Sequence, residues 1–328
     1  MSNIRLVFPA RGQVELREHA APSPQAGQVR VTSTLSLMST GTESIVLNGD
    51  FEPDTHFARF GKLPFLPGYL TVGIVDSVGN DVQNPRVGDR VFHRAGHGSR
   101  FTLQATDVTA IPDNVGDEAA VWAGLALIAY RAANAASFRI GARPLIVGAG
   151  PIGQMALRWA VLAGCDDVVV VSRSAFRLQW ASAGGATHCI ESPIESAAAL
   201  IRCRLADPKI IVDATGNATV LEKLLPLASR YGTVVLLGDT GHPQRQRLTS
   251  DVMMKGLTVT AAHDRHDRLG GPASEVLPLV LGFMSRRQLD CTGLITHVFE
   301  PGRAADAYRL AQAERGQTMG IAFKWSAA

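Results

Sequence analysis

Short apolar runs separated by turn residues fill the first third of the chain. Residues 29–34, 72–77 and 90–93 are rich in β-branched and aromatic side chains and read as strands. Pro64, Pro67, Gly68, Gly79, Asn80, Pro85, Gly88 and Asp89 punctuate them. The pattern predicts an irregular β-rich domain over residues 1–122.

From Pro144 the pattern changes. Residues 145–147 form a short apolar run, a glycine-rich turn follows, and helical spacing runs from 152 to 163 with Gly164 suited to end the helix. Residues 168–171 are an unbroken run of valine, as expected for a strand buried on both faces. Residues 177–183 read as a helix, 210–214 and 233–237 as strands, and 257–262 as an edge strand. Alternation of strand and helix predicts an α/β, doubly wound parallel sheet of the Rossmann type over residues 123–262. The remainder, 263–328, carries helical patterns at 274–285 and 304–313 and a terminal strand at 320–325.

The turn Gly148-Ala149-Gly150-Pro151-Ile152-Gly153 matches G-x-G-x-x-G between a strand and a helix. Gly148 allows the tight turn, Gly150 lets the backbone approach a pyrophosphate, and Gly153 lets helix and strand pack closely. The helix beginning at Pro151 and Ile152 turns unpaired N–H groups and a positive dipole end toward an anion. Alone the motif is weak; its strand–turn–helix–strand context makes a dinucleotide the expected ligand.

The end of the second strand decides between the two nicotinamide cofactors. NAD-binding chains place Asp or Glu there for the ribose 2′-hydroxyl. This chain reads Val171-Ser172-Arg173-Ser174. A hydroxyl and a guanidinium suit a 2′-phosphate, and Arg177 is expected on the same side. NADP(H) is therefore the expected cofactor. Thr215-Gly216 and Gly238-Asp239, after the fourth and fifth strands, are expected to add cofactor contacts, because ligands bind beyond the carboxyl ends of such sheets.

Nearly the whole chain resembles the medium-chain dehydrogenase/reductase superfamily. The resemblance rests on Gly41-Thr42-Glu43, Pro67-Gly68-Tyr69, Val87-Gly88-Asp89-Arg90-Val91, the 148–153 turn and Val212-Asp213-Ala214-Thr215-Gly216. It implies a GroES-like catalytic domain, completed by the C-terminal segment, with the Rossmann domain inserted between, and a cofactor cleft between domains. It also implies a homodimer formed through the last Rossmann strand. Zinc-dependent relatives carry Cys-Gly-Thr-Asp where this chain has Thr40-Gly41-Thr42-Glu43, and Gly-His-Glu where it has Gly68-Tyr69-Leu70. Their third ligand falls near residues 122–125, and their four-cysteine lobe has no counterpart in residues 92–99. No zinc is expected. His93 and His97 do not replace it, because Gly96 and Gly98 place them on a loop. Together with Gly293-Leu294-Ile295-Thr296-His297, the 39–43 and 67–69 segments resemble the zinc-less branch that includes bacteriochlorophyllide dehydrogenase-like proteins.

Without a metal, something else must stabilise a developing oxyanion. Thr40 and Thr42 offer hydroxyls, or cap a turn. Tyr69 offers a phenol, useful if a nearby charge lowers its pKa from ~10. Glu43 is a base or, as the resemblance favours, an orienting group. His263 and His266, after the edge strand, are either proton donors or part of a polar loop at a dimer edge. The expected activity is hydride transfer between nicotinamide and an alcohol/carbonyl small-molecule substrate. Reduction of a quinone or enone double bond, and a non-catalytic NADP(H)-binding role, are the alternatives.

Composition narrows the remaining classes. Apolar residues make up 46% and charged residues 19%, the balance of a soluble globular protein. With 32 basic and 29 acidic residues the net charge is 32 − 29 = +3, too weak to predict a nucleic-acid partner. The N-terminal residues lack a signal-peptide pattern, and no run of ~18 apolar residues predicts a membrane span. A cytoplasmic location is expected. Cys165, Cys189, Cys203 and Cys291 form no CxxC pair and read as small buried apolar groups.

Overall fold

The computed structural model describes residues 3–325. In chain order, a hairpin of β1 (Ile4–Val7) and β2 (Glu15–Glu18) opens the fold. There follow β3 (Gln28–Leu37), α1 (Thr40–Asn48), α2 (His56–Phe60), β4 (Thr71–Val78), β5 (Arg90–His93), β6 (Arg100–Gln104), β7 (Val108–Ala110) and α3 (Asp117–Ala120). Next come α4 (Ala123–Ala135), β8 (Pro144–Val147), α5 (Pro151–Leu162), β9 (Val169–Ser172), α6 (Ala175–Ala183), β10 (His188–Glu191) and α7 (Ile194–Arg204). The chain continues through β11 (Ile210–Asp213), α8 (Ala218–Leu224), β12 (Thr233–Leu236), α9 (Asp251–Lys255) and β13 (Thr258–Ala261). It closes with α10 (Ala273–Ser285), β14 (Ile295–Phe299), α11 (Ala304–Ala313) and β15 (Gly320–Lys324).

Two compact units result, residues 1–124 with 273–328, and residues 125–272. The second reaches ten residues past the expected 262, because 263–271 folds back onto α4. There the wholly buried Arg131 pairs with Asp267 at 2.8 Å, and Gly270 packs so closely on Tyr130 that a Cβ would stand 2.4 Å from its ring.

In the first unit a seven-stranded sheet runs β14-β15-β3-β4-β5-β7, with β6 also pairing β3. All its neighbours are antiparallel except β14 and β15. The C-terminal segment is integral to this unit: Tyr308, Ile321, Phe323 and Trp325 share one apolar cluster with Phe8, Met38, Val46 and Phe57. Helix α1 buries Thr40, Glu43, Val46 and Leu47, a three- and four-residue spacing that turns one face inward.

The second unit holds a six-stranded, wholly parallel sheet in the order β10-β9-β8-β11-β12-β13. Its central strands are solidly apolar, and the helices that cover them complete one core around Leu145, Val169, Ile211 and Val234. The expected edge strand is β13. Strand β10 and helix α7 carried no periodic signal, since β10 alternates His, Cys, Ile and Glu with one buried residue.

Among the described residues no helix is long and apolar enough to cross a membrane. None of the four cysteines is in a disulfide. Only Cys291 is buried, however; Cys189 and Cys203 are exposed, against the expectation of buried thiols.

Candidate active site and cofactor turn

In the first unit the expected catalytic residues gather at the start of α1. Thr40 and Thr42 lie in the first turn of this helix rather than in a free turn, and neither caps it. Ser39 is the N-cap, but its side chain makes no capping bond. Its backbone N–H instead donates to Glu43 Oε1 at 2.7 Å, so the carboxylate one helical turn on satisfies the open end of the helix. The Ser39 hydroxyl is left to meet the Tyr69 hydroxyl at 2.7 Å.

Tyr69 is placed by a tight turn. Gly68 has φ +93°, and a Cβ there would stand 2.8 Å from the His97 ring and backbone nitrogen. Only glycine lets the turn close on His97, whose N–H donates to the Pro67 carbonyl at 2.8 Å. Burial raises the Tyr69 pKa above its usual value, outweighing the bond from Ser39 and the nearby Arg94 charge. The Arg94 guanidinium lies 5.3 Å from the phenol ring centroid. The condition set on the sequence, that a nearby charge lower this pKa, is not met, because desolvation exceeds the charge effect.

Glu43 is 1% exposed and fully engaged. Its Oε2 accepts from Tyr308 Oη at 2.5 Å and from His97 Nε2 at 3.2 Å. Trp325 Nε1 donates to Ser36 Oγ at 2.9 Å, and Ser36 Oγ is 2.7 Å from His97 Nδ1. Those partners assign His97 the tautomer with its proton on Nε2, facing the carboxylate. The sequence reading missed Arg94 and Tyr308, and did not read Ser39 and His97 as partners of Tyr69 and Glu43, because these residues come from three separated segments. The pairing of His93 with His97 does not occur. His93 ends β5 and is buried, and burial pushes its pKa down to about 3.

In the second unit, Gly150 is the N-cap of α5 and has no side chain with which to cap it, so the first-turn amides are left for an anion. Gly148 has φ +102°, and a Cβ on Gly153 would fall 1.9 Å from the Gly148 carbonyl oxygen. Pro151 occupies the first helical position, where its missing N–H costs nothing. Ser172 ends β9, Arg173 is exposed beyond it, and Ser174 caps α6 by accepting from the Arg177 amide at 3.1 Å. Arg177 reaches back to the glycine turn: a Cβ on Gly150 would stand 3.2 Å from its Nη1.

Buried Asp213 ends β11 and pins the two loops expected to contact the cofactor. Its Oδ1 accepts from the Thr215 amide and hydroxyl at 2.8 and 2.6 Å, and its carbonyl accepts from the Gly238 amide at 2.8 Å. Burial nonetheless raises its carboxyl pKa to about 6. Gly216 and Gly238 pack backbone to backbone, with room for no side chain between them. Asp239 is exposed and its Oδ1 accepts from the Thr240 amide. His263 follows β13; its Nδ1 accepts from the Arg265 amide at 3.2 Å, which leaves the proton of the neutral ring on Nε2. His266 Nδ1 accepts from the His263 amide at 3.2 Å.

Comparison with known proteins agrees with this layout. Residues 151–274 match the family of zinc-binding dehydrogenases. The starvation-sensing protein RspB of Escherichia coli is 27% identical, over 91% of this chain and 92% of its own. Bovine sorbitol dehydrogenase is 24% identical, over 93% of this chain and 92% of its own. A solved alcohol dehydrogenase, RspB of Escherichia coli CFT073 in complex with NADH, superposes with a TM-score of 0.84 at 22% identity, over 99% of this chain and 100% of that one. Over its whole length the chain has the fold of this solved alcohol dehydrogenase, and residues 151–274 are similar to the zinc-binding dehydrogenases.

Proposed function

We propose that this chain is an NADP(H)-dependent oxidoreductase that moves a hydride between nicotinamide and an alcohol/carbonyl pair, without a catalytic zinc. The similarity to RspB and sorbitol dehydrogenase supports a nicotinamide-dependent alcohol or polyol dehydrogenase. The finer reading, of a zinc-less enzyme akin to the branch resembled by residues 39–43 and 67–69, is carried by one observation. At two positions where the resemblance sets zinc ligands this chain has Thr40 and Tyr69, and the Tyr69 hydroxyl is 2.7 Å from the Ser39 hydroxyl.

The donor set at those positions does not fit zinc, which takes thiolate, imidazole or carboxylate ligands. Thr40 and Tyr69 stand in the first two places. Residues 122–125 are Trp, Ala, Gly and Leu, whose one polar side-chain atom is an indole donor. The adjacent carboxylate of Glu43 is already bound through both oxygens.

Bound nicotinamide would supply or accept the hydride at its C4. Tyr69 holds a proton at its hydroxyl and, in the reducing direction, delivers it to the oxyanion that forms on the substrate carbon. The phenol is protonated at neutral pH, and although its raised pKa makes it a weaker acid, the alkoxide oxygen left by hydride transfer is basic enough to take the proton. Ser39 fixes the phenol, and Glu43 orients Ser39 rather than acting as a base. His263, with Nε2 protonated, is the second proton donor to test.

For the cofactor, the absence of an acid at Ser172 and the exposed Arg173 favour the 2′-phosphate of NADP(H). For assembly, β13 pairs with β12 on one side only, and Leu248, Met253 and Met254 near it are exposed. These features favour a homodimer, which light scattering would measure directly.

The deciding experiment combines elemental analysis with turnover. Purified protein should carry no stoichiometric zinc and should reduce NADP⁺ with members of a panel of polyols and secondary alcohols. Tyr69→Phe should abolish that turnover while leaving NADPH affinity unchanged. One zinc per chain, or full activity in Tyr69→Phe, would overturn the reading.

A further inference from the structure

Gln154 lies in the first turns of α5, one residue past the glycine motif, and is 0% exposed. A buried amide this polar needs partners, and Gln154 has them on both ends. Its Nε2 donates to the Ala149 carbonyl in the phosphate turn at 3.1 Å and to the Arg177 carbonyl in α6 at 3.1 Å. Its Oε1 accepts from Arg158 Nη1 at 2.9 Å, and Arg158 is itself 7% exposed. One planar amide therefore ties the glycine turn to the first turn of the neighbouring helix, and a buried guanidinium sets which way that amide faces.

The tie ends on Arg177. Its amide donates to Ser174 Oγ and its carbonyl accepts from Gln154, so its backbone is held on both sides. Its guanidinium is the group that overlies Gly150, at the end of α5 open to an anion. A guanidinium in that place meets the phosphates common to both nicotinamide cofactors, whereas Arg173, exposed at the end of β9, meets what distinguishes them.

We propose that Gln154 is a positioning residue for the cofactor phosphates, acting through Arg177. It holds the glycine turn and the α6 arginine at a fixed separation without touching the ligand. The chemistry of position 154 is narrow: it requires two donors for two carbonyls and one acceptor for Arg158. Leucine or methionine fills the volume and supplies none of the three. This inference rests on the cofactor reading above and deepens it.

Fluorescence titration with NADPH and with NADH tests it through a double-mutant cycle. Gln154→Met should weaken both cofactors at least fivefold and leave their ratio unchanged. In an Arg177→Ala background the same change should cost less than twofold, because the group it positions is gone. Equal factors in the two backgrounds would overturn the proposal, since Gln154 would then serve the turn or the fold alone. So would a Gln154→Met protein with unchanged affinities, or an Arg177→Ala change that affects NADPH and not NADH. If Gln154→Met does not fold, Gln154→Asn keeps the amide but draws it back by one methylene, and the same cycle applies. Wild-type protein that binds neither cofactor would instead defeat the cofactor reading itself.

Discussion

The hydroxyl of Tyr308 donates to Glu43 Oε2 at 2.5 Å across 265 positions of sequence. It fastens the last helix of the chain to the first. Tyr308 is buried, and burial together with the Glu43 charge holds its pKa well above the ordinary phenol value, so it remains a donor. A buried carboxylate that loses one of its donors keeps its desolvation cost. Tyr308→Phe should therefore destabilise the protein by about 1–3 kcal/mol in urea unfolding. A loss below ~0.5 kcal/mol would mean that His97 and the Ser39 amide suffice for Glu43.

Cofactor selectivity should reside at Arg173. Arg173→Ala should weaken NADPH about tenfold or more, ~1.4 kcal/mol, and leave NADH within twofold. Raising the salt concentration should narrow the preference of the wild-type protein, because the contact is exposed. Wild-type affinities that are already equal for the two cofactors would remove the case for NADP(H).

His93 should make the first unit acid-sensitive. Its pKa is lowered to about 3 by burial, so the folded state binds fewer protons than the unfolded state between about pH 6.5 and about pH 3. Stability is retained above the unfolded pKa and falls as pH drops through that window, by at most ~1.4 kcal/mol per pH unit from this group. His93→Asn keeps an acceptor for the Ala95 amide, which now donates to Nδ1. It should flatten the acid limb, measured by hydrogen exchange at β5 amides. An unchanged limb would mean that other groups set it.

Asp213 should act in the opposite sense in the second unit. Its pKa is raised to about 6, so the folded state holds the proton more tightly than the unfolded state. This group lowers stability as pH rises from about 4 to about 6, and its cost is complete above that. Asp213→Asn keeps the oxygen that Thr215 bonds. Its stability relative to wild type should improve by up to about 3 kcal/mol between about pH 4 and about pH 7. A difference independent of pH would show that Asp213 has the same pKa in the folded and unfolded states.

What the sequence determined by itself was the part of the molecule whose interactions are local or periodic. The glycine turn was legible because Gly148 and Gly153 answer to backbone geometry within six residues. The parallel strands were legible because burial on both faces makes each a continuous apolar run. The change from Asp or Glu to Ser172-Arg173 could be read as chemistry without any coordinates. Helix α1 was missed as an element because its buried face includes Thr40 and Glu43, polar residues that a hydrophobic pattern reads as exposed.

Only the tertiary structure decided how the candidate groups behave. Glu43 could be read as a base or as an orienting group until Ser39, His97 and Tyr308 were seen to engage both its oxygens. Tyr69 needed its surroundings before the direction of its pKa was known, because desolvation and the Arg94 charge oppose one another. Arg177 needed the folded glycine turn before its guanidinium could be placed over Gly150. Apart from Ser39, each of these partners lies more than twenty residues away in the chain. Burial and hydrogen-bond geometry are properties of the folded chain, and residue type alone does not carry them.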